Sequence, residues 1–229
     1  MIFRQLFDLK SSTYTYLLAD AASREAVLID PVIDNLPQYM TLLDNLGLTL
    51  RYALDTHVHA DHITALGELR ELTGCITMMG EQSVAHCVSE KFSDEQLLRI
   101  GNMTLRMLYT PGHTDDSYCF YVPDLNAVFT GDTLLIRGTG RTDFQNGDAV
   151  QQYHSLFEKL LKLPGDTRVY PGHDYKGWTQ STIDEERAFN PRLQVQSSEE
   201  YQTLMANLNL PNPAQMDVAV PANQKCGMA

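Results

Sequence analysis

Five of the chain's seven histidines fall in four short turns: Thr56-His57-Val58-His59-Ala60-Asp61-His62, Pro111-Gly112-His113-Thr114, Gly131-Asp132-Thr133 and Pro171-Gly172-His173-Asp174. Imidazole nitrogens and carboxylate oxygens are the donors that hold divalent metals. The first turn carries four of them, His57, His59, Asp61 and His62, within six positions. Buried together without an ion or a dense hydrogen-bond network, such a cluster would be costly. Each later turn is weak alone: Gly-Asp-Thr also serves as a plain turn or cap, and a lone His at a strand end more often packs than ligates. Together with the first, and each following a stretch that reads as a strand, they predict a metal site. Loops at strand ends are held at one side and open at the other, so neighbouring loops can converge on one point. Seven donors leave the stoichiometry open, since they fit one ion or two. His86 and His154 lie outside these turns and are expected to be surface or packing residues in or near helices.

The elements that must position these turns follow from periodicity. Tyr14, Tyr16 and Leu18 alternate with Thr15 and Leu17, and Ala26–Ile29 is a short apolar run ended by Asp30-Pro31; both predict strands. Residues 37–46 predict a helix stopped by Gly47, 50–54 a strand, and 63–72 a helix stopped by Gly74. Leu105, Met107 and Tyr109 mark a half-buried strand. Tyr118–Val122 and Ala127–Thr130 predict a hairpin across Pro123-Asp124-Leu125-Asn126. Residues 149–163 read as a helix, 168–170 as a strand, and 179–208 as mainly helical with a break at Asn190-Pro191. The tail after Leu210 reads as extended or irregular. Alternating strands and helices with hairpins mixed in argue a mixed-sheet α/β protein.

Composition narrows the function. At 229 residues, with 43% hydrophobic and 20% charged, the chain suits one large domain with a modest extension. A net charge of -12 disfavours nucleic-acid binding, which needs basic patches. It leaves room for an anionic substrate in a cleft whose local charge a metal and one or two arginines reverse. The cysteines, Cys75, Cys87, Cys119 and Cys226, are widely spaced without a CxxC, so all four are expected to be reduced thiols, Cys226 in an exposed tail. No stretch reaches the ~18–20 apolar residues of a membrane span, and the N-terminus lacks an apolar signal region. A bacterial cytosol or the mitochondrial matrix is the expected setting, with no membrane contact.

The order His57-x-His59-x-Asp61-His62, His113, Asp132, His173 resembles the metallo-β-lactamase superfamily across most of residues 1–175. The resemblance implies an αββα sandwich, two mixed sheets flanked by helices, with metal in a groove along one edge. It also implies a catalytic domain at 1–175 and a helical extension and tail at 176–229 packed on the same domain. A closer likeness, to the persulfide dioxygenases, rests on six segments: Leu134-Leu-Ile-Arg-Gly-Thr-Gly-Arg-Thr-Asp-Phe-Gln145, His173-Asp-Tyr-Lys-Gly177, Glu185-Glu-Arg187, Asn190-Pro-Arg-Leu193, Asn207-Leu-Asn-Leu-Pro211 and Val220-Pro-Ala-Asn223. That family oxidises glutathione persulfide with O2 and water to sulfite and glutathione.

What the closer resemblance implies is one Fe(II) held by His57, His113 and Asp132. His59, Asp61, His62 and His173, metal-binding positions in two-zinc relatives, then hold ligands and water by hydrogen bonds. Two imidazoles and a carboxylate are the set expected of non-haem Fe(II) oxygenases. For the anionic glutathione, Arg141 in the Gly138-Thr-Gly-Arg141 loop is the candidate grip, with an ion pair to Asp143 as the structural alternative. Tyr175 matches a substrate-contacting tyrosine of glutathione-thioester hydrolases in the superfamily, with edge packing as its alternative. Arg187 and Arg192 are expected to pin the extension, and Trp178 and Phe189 to pack. A homodimer and a rhodanese-type sulfurtransferase partner are implied by likeness alone. The rivals are a glyoxalase II-type two-metal hydrolase of glutathione thioesters and a non-catalytic metal-binding partner protein.

Overall fold

The computed structural model describes residues 1–208, 210 and 215–228; the tail segment 211–214 and part of the 207–211 motif lie outside the described residues. Among the described residues, twelve strands form two six-stranded sheets. The first sheet has the order β1 (Ile2–Asp8), β2 (Thr13–Ala19), β3 (Glu25–Ile29), β4 (Thr49–Leu54), β5 (Ile76–Gly80) and β6 (Glu90–Phe92). Its first three strands pair antiparallel and its last four parallel. The second sheet runs β12 (Ser181–Thr182), β11 (Arg168–Tyr170), β10 (Ala127–Phe129), β9 (Tyr118–Val122), β8 (Met103–Tyr109) and β7 (Leu97–Ile100). Only β10 and β11 pair parallel there.

The alternation predicted from sequence decides which face meets which layer. Tyr16 and Leu18 of β2, Val27 and Ile29 of β3, and Leu54 of β4 face Leu105, Met107, Phe120, Phe129 and Tyr170 between the sheets. Leu17, Ala26, Leu28 and Ala53, the other faces of those strands, meet Tyr39 and Leu43 of α1 (Leu36–Leu46) and Leu66 and Leu69 of α2 (Leu66–Thr73). Leu108, Cys119, Val128 and Val169 on the far sheet's outer face meet α3 (Ala149–His154), α4 (Ile183–Phe189) and α5 (Ser198–Ala206). The layers are therefore αββα. Gly47 and Gly74 close α1 and α2 in the left-handed conformation, as their positions predicted.

The structure departs from the sequence reading in four places. The helix expected over 63–72 begins only at Leu66. Ile63 O accepts from Ile33 N, Ala65 N donates to Pro31 O, and Thr64 bridges Val32, so this backbone is engaged in holding strand ends together. Strands β5, β6 and β7, within 76–100, were not legible, and His86 lies exposed in the loop between β5 and β6 rather than in a helix. The tail is not irregular throughout: α6 (Met216–Asn223) packs on the first helical layer beside α2, with Val220 and Cys226 in its core. Finally, Cys87 and Cys226 form a disulfide across 139 residues, and Cys226 is buried rather than exposed. Only Cys75 and Cys119 are free, both buried. Among the described residues, no helix is long and apolar enough to cross a membrane.

Candidate metal centre

All four chemistry-bearing turns leave strands at one edge of the sandwich. Strand β8 runs antiparallel to β9, which runs antiparallel to β10, and β10 is parallel to β11. The C-terminal ends of β8, β10 and β11 therefore coincide, presenting His113, Asp132 and His173 side by side. The His57 turn follows β4 in the other sheet and is tied across the gap by Tyr118 N donating to Thr56 O at 2.8 Å. Tyr14 N donates to Gly172 O at 2.8 Å, closing the same edge from β2.

The structure brings His57, His113 and Asp132 together, with one ligand atom of each within 4.8 Å of the others. The imidazole tautomers follow from their partners. His113 Nδ1 lies 2.7 Å from the Arg141 carbonyl, which can only accept, so Nδ1 carries the proton and Nε2 keeps its lone pair. Thr56 Oγ1 donates to Asp30 Oδ2, so toward His57 Nδ1, 3.0 Å away, it accepts, and His57 likewise keeps Nε2 free. Burial, with the neighbouring His59 and His113, holds His57 well below its ordinary pKa and hence neutral. Asp132 is ionised: burial alone would raise its pKa, but His173 beside it pulls it far down. Gly140 is dictated by this packing, because a Cβ there would lie 2.3 Å from the Asp132 carbonyl oxygen and 2.7 Å from His113 Nδ1.

The remaining donors form a second, hydrogen-bonded layer. His173 Nδ1 meets Asp132 Oδ1 at 2.7 Å and its Nε2 meets Asp61 Oδ2 at 2.9 Å. Burial opposes a charge on this ring, yet the two carboxylates raise its pKa well above 6.5, making it an imidazolium with no lone pair. Asp61 Oδ2 also accepts from Thr13 and lies 2.8 Å from His62 Nδ1. His59 Nε2 meets Asp30 Oδ1 at 3.1 Å. His59 Nδ1 and His62 Nε2 are buried without a hydrogen-bond partner among the described residues.

A cleft of about 570 Å³ opens over His57, His113 and Asp132. Leu135, Ile136 and Phe144 give it apolar walls, and Lys10, Arg137, Arg141, Lys176 and Arg192 line it together with Asp61, Asp132 and Asp174. Arg141 lines the cleft and also forks onto Asp143, Nε to Oδ1 at 2.6 Å and Nη2 to Oδ2 at 2.7 Å, over the ring of Phe144. Tyr175 is 74% exposed at the rim, its ring stacked 6.1 Å from that of His173. Arg192 pins the Thr139 backbone as expected and also reaches the cleft; no described carboxylate pairs with it. Asp30 and Thr56 set the His57 tautomer, and neither stands out in the sequence as a site residue. An Asp-Pro following an apolar run was the available signal. His154 sits at the surface beside Glu158, away from the site.

Metal donors gathered on loops at one edge of a β-sandwich define a metallo-β-lactamase-type protein, and the chain matches the metallo-beta-lactamase superfamily model over residues 10–87 and 88–173. It is 50% identical to the human mitochondrial persulfide dioxygenase ETHE1 over 229 residues, all of this chain and 89% of that one. The crystal structure of ETHE1 from Myxococcus xanthus superposes with a TM-score of 0.97 at 52% identity, covering 100% of both chains. A probable hydroxyacylglutathione hydrolase of Schizosaccharomyces pombe is 40% identical over 166 residues, 71% of this chain and 64% of its own. The chain belongs to the ETHE1 persulfide dioxygenase family within that superfamily.

Proposed function

We propose that His57, His113 and Asp132 hold one Fe(II) in an enzyme that oxidises glutathione persulfide with O2 and water to sulfite and glutathione. The persulfide dioxygenase activity follows from the full-length family match. The observation that carries the one-ion reading is the hydrogen-bond assignment. His57, His113 and Asp132 each keep one donor atom facing a common point, whereas both nitrogens of His173 are engaged by carboxylates and His59 Nε2 by Asp30. Two imidazoles, each with Nε2 left unpaired by its Nδ1 partner, and an ionised carboxylate fit a small divalent cation. When bound, iron in such a set would supply the redox chemistry toward dioxygen.

The chain's own residues prepare that chemistry. Thr56 and the Arg141 carbonyl fix which nitrogen of each ligand ring is presented. His173 orients Asp132 through Oδ1, leaving Oδ2 toward the cleft. The apolar wall of Leu135, Ile136 and Phe144 limits water beside the reacting sulfur. Arg141, by exchanging Asp143 for a substrate carboxylate, and Arg192 and Tyr175 at the same cleft, hold the glutathione portion. A homodimer, a rhodanese-type sulfurtransferase as persulfide source, and a cytosolic or matrix setting complete the reading. The Cys87–Cys226 disulfide is unusual for a reducing compartment and makes the thiol state worth titrating.

One observation favours a second reading. Donor atoms of His59, Asp61 and His62 also lie within 4.8 Å of one another, and two of those ring nitrogens are unpartnered. A second ion there would give a two-metal thioester hydrolase. Metal analysis combined with oxygen uptake decides: one iron per chain with persulfide-dependent uptake supports the dioxygenase, while two ions with thioester hydrolysis and no uptake overturn it.

A further inference from the structure

The loop that follows His57 has no regular structure before α2, yet its backbone is buried and must find partners. Val58 O accepts from Gln145 at 2.6 Å, Ile63 O accepts from Ile33 N, and Ala65 N donates to Pro31 O. The carbonyls of His59 and His62 both accept from one side chain, Asn223 Nδ2, at 2.9 and 2.7 Å. Its Oδ1 in turn accepts from Thr64 N at 2.9 Å. A single buried amide near the end of the chain thus satisfies three backbone groups of the metal-bearing turn, using both donors and its acceptor.

The helix that delivers this amide is itself held in place. Gly67 N donates to Cys226 O at 2.9 Å. A Cβ at Gly67 would lie 2.8 Å from that carbonyl and 2.4 Å from the Met228 side chain, so α2 and the tail are in direct contact. Cys226, three residues beyond Asn223, is bonded to Cys87. We propose that Asn223 is a positioning residue of the metal centre. It fixes the backbone of His59 and His62 so that Asp61 between them meets His173, and His173 orients Asp132. This rests on the metal site assigned above.

The test compares Asn223→Ala with wild type and with Leu43→Ala, a cavity in the α1 layer that lowers the melting temperature without touching the turn. Two quantities are read on the full-length protein: Fe(II) affinity by chelator competition, and amide hydrogen exchange of 57–64 against the other three turns. The expected result for Asn223→Ala is a loss of affinity of about 10- to 100-fold, the range seen when groups that orient ligands are removed. Faster exchange confined to 57–64 accompanies it, and Leu43→Ala shows neither. Unchanged affinity, unchanged exchange at 57–64, or equal losses in Leu43→Ala overturns the proposal. If Asn223→Ala does not fold, Cys226→Ser, which leaves the amide but frees its anchor, is expected to loosen the same turn to a smaller degree; unaltered exchange there overturns it equally. A wild-type chain without stoichiometric iron would sink the site assignment instead, while the exchange data still report on the clamp.

Discussion

His57, His113 and Asp132 on one side, and His59, Asp61, His62 and His173 on the other, are the same kinds of side chain crowded into one loop cluster. They differ in what lies behind them. Behind the first group stand a carbonyl, a hydroxyl that accepts, and an imidazolium, and each of these partners leaves a donor atom free. In the second group His173 is held by two carboxylates, and Asp61 Oδ2 is shared by Thr13, His62 and His173. Residue type thus makes seven candidates; hydrogen bonds set His173 apart from the ligands, while His59 Nδ1 and His62 Nε2 keep the second group open to an ion.

His113→Ala makes the sharpest cut through this contrast. It removes a donor that nothing replaces, and essentially all bound iron and oxygen uptake should vanish; unchanged iron content in that variant would break the distinction. His173→Gln comes next. With a supporting role, the variant keeps one ion per chain but binds it about 10- to 100-fold more weakly. If wild type instead carries two ions and the variant one, His173 is a ligand.

Arg141 touches both sides, its carbonyl on His113 and its side chain in the cleft. Arg141→Ala preserves the main chain, so KM for glutathione persulfide is expected to rise about tenfold with kcat and iron content little changed, in line with losing one charge-assisted contact. A fall in kcat with constant KM would assign the side chain to the chemistry instead.

The smallest effect concerns the metal-free protein. His173 has a folded pKa raised above 6.5, so the stability it lends is complete below about 6.5 and fades as pH climbs toward the raised value. Asp61 and Asp132 have depressed values, so their contribution holds above about 4 and is lost on acidification. The melting-temperature gap between wild type and His173→Gln is thus expected to be widest, by a few degrees, between those limits. A gap that grows with rising alkalinity would contradict the imidazolium.

The strands and helices were legible because alternation in β2, the apolar run of β3 and the hairpin at 118–130 are local signals, and Gly47 and Gly74 punctuate their helices; their stacking into a sandwich came only with the resemblance to the superfamily. The cluster of site donors was legible because His57, His59, Asp61 and His62 crowd into six positions. What escaped depends on contacts distant in sequence. Strand β6 is three residues long, with only Phe92 fully buried, and offers little pattern. The late start of α2 is set by Pro31 and Ile33. The tail helix carries Pro221 within it, which local propensity reads as a breaker. Cys87 and Cys226 are joined only because that helix folds back.

The residues beyond 175 divide between the two outer faces, α4 and α5 covering one and α6 the other. The polypeptide therefore straps the sandwich from both sides, and Asn223, its last buckle, fastens next to the first donor turn. During synthesis that turn waits for some 160 further residues before its backbone is fully satisfied. A chain cut short before α6 is thus expected to hold iron more weakly than one that carries Asn223.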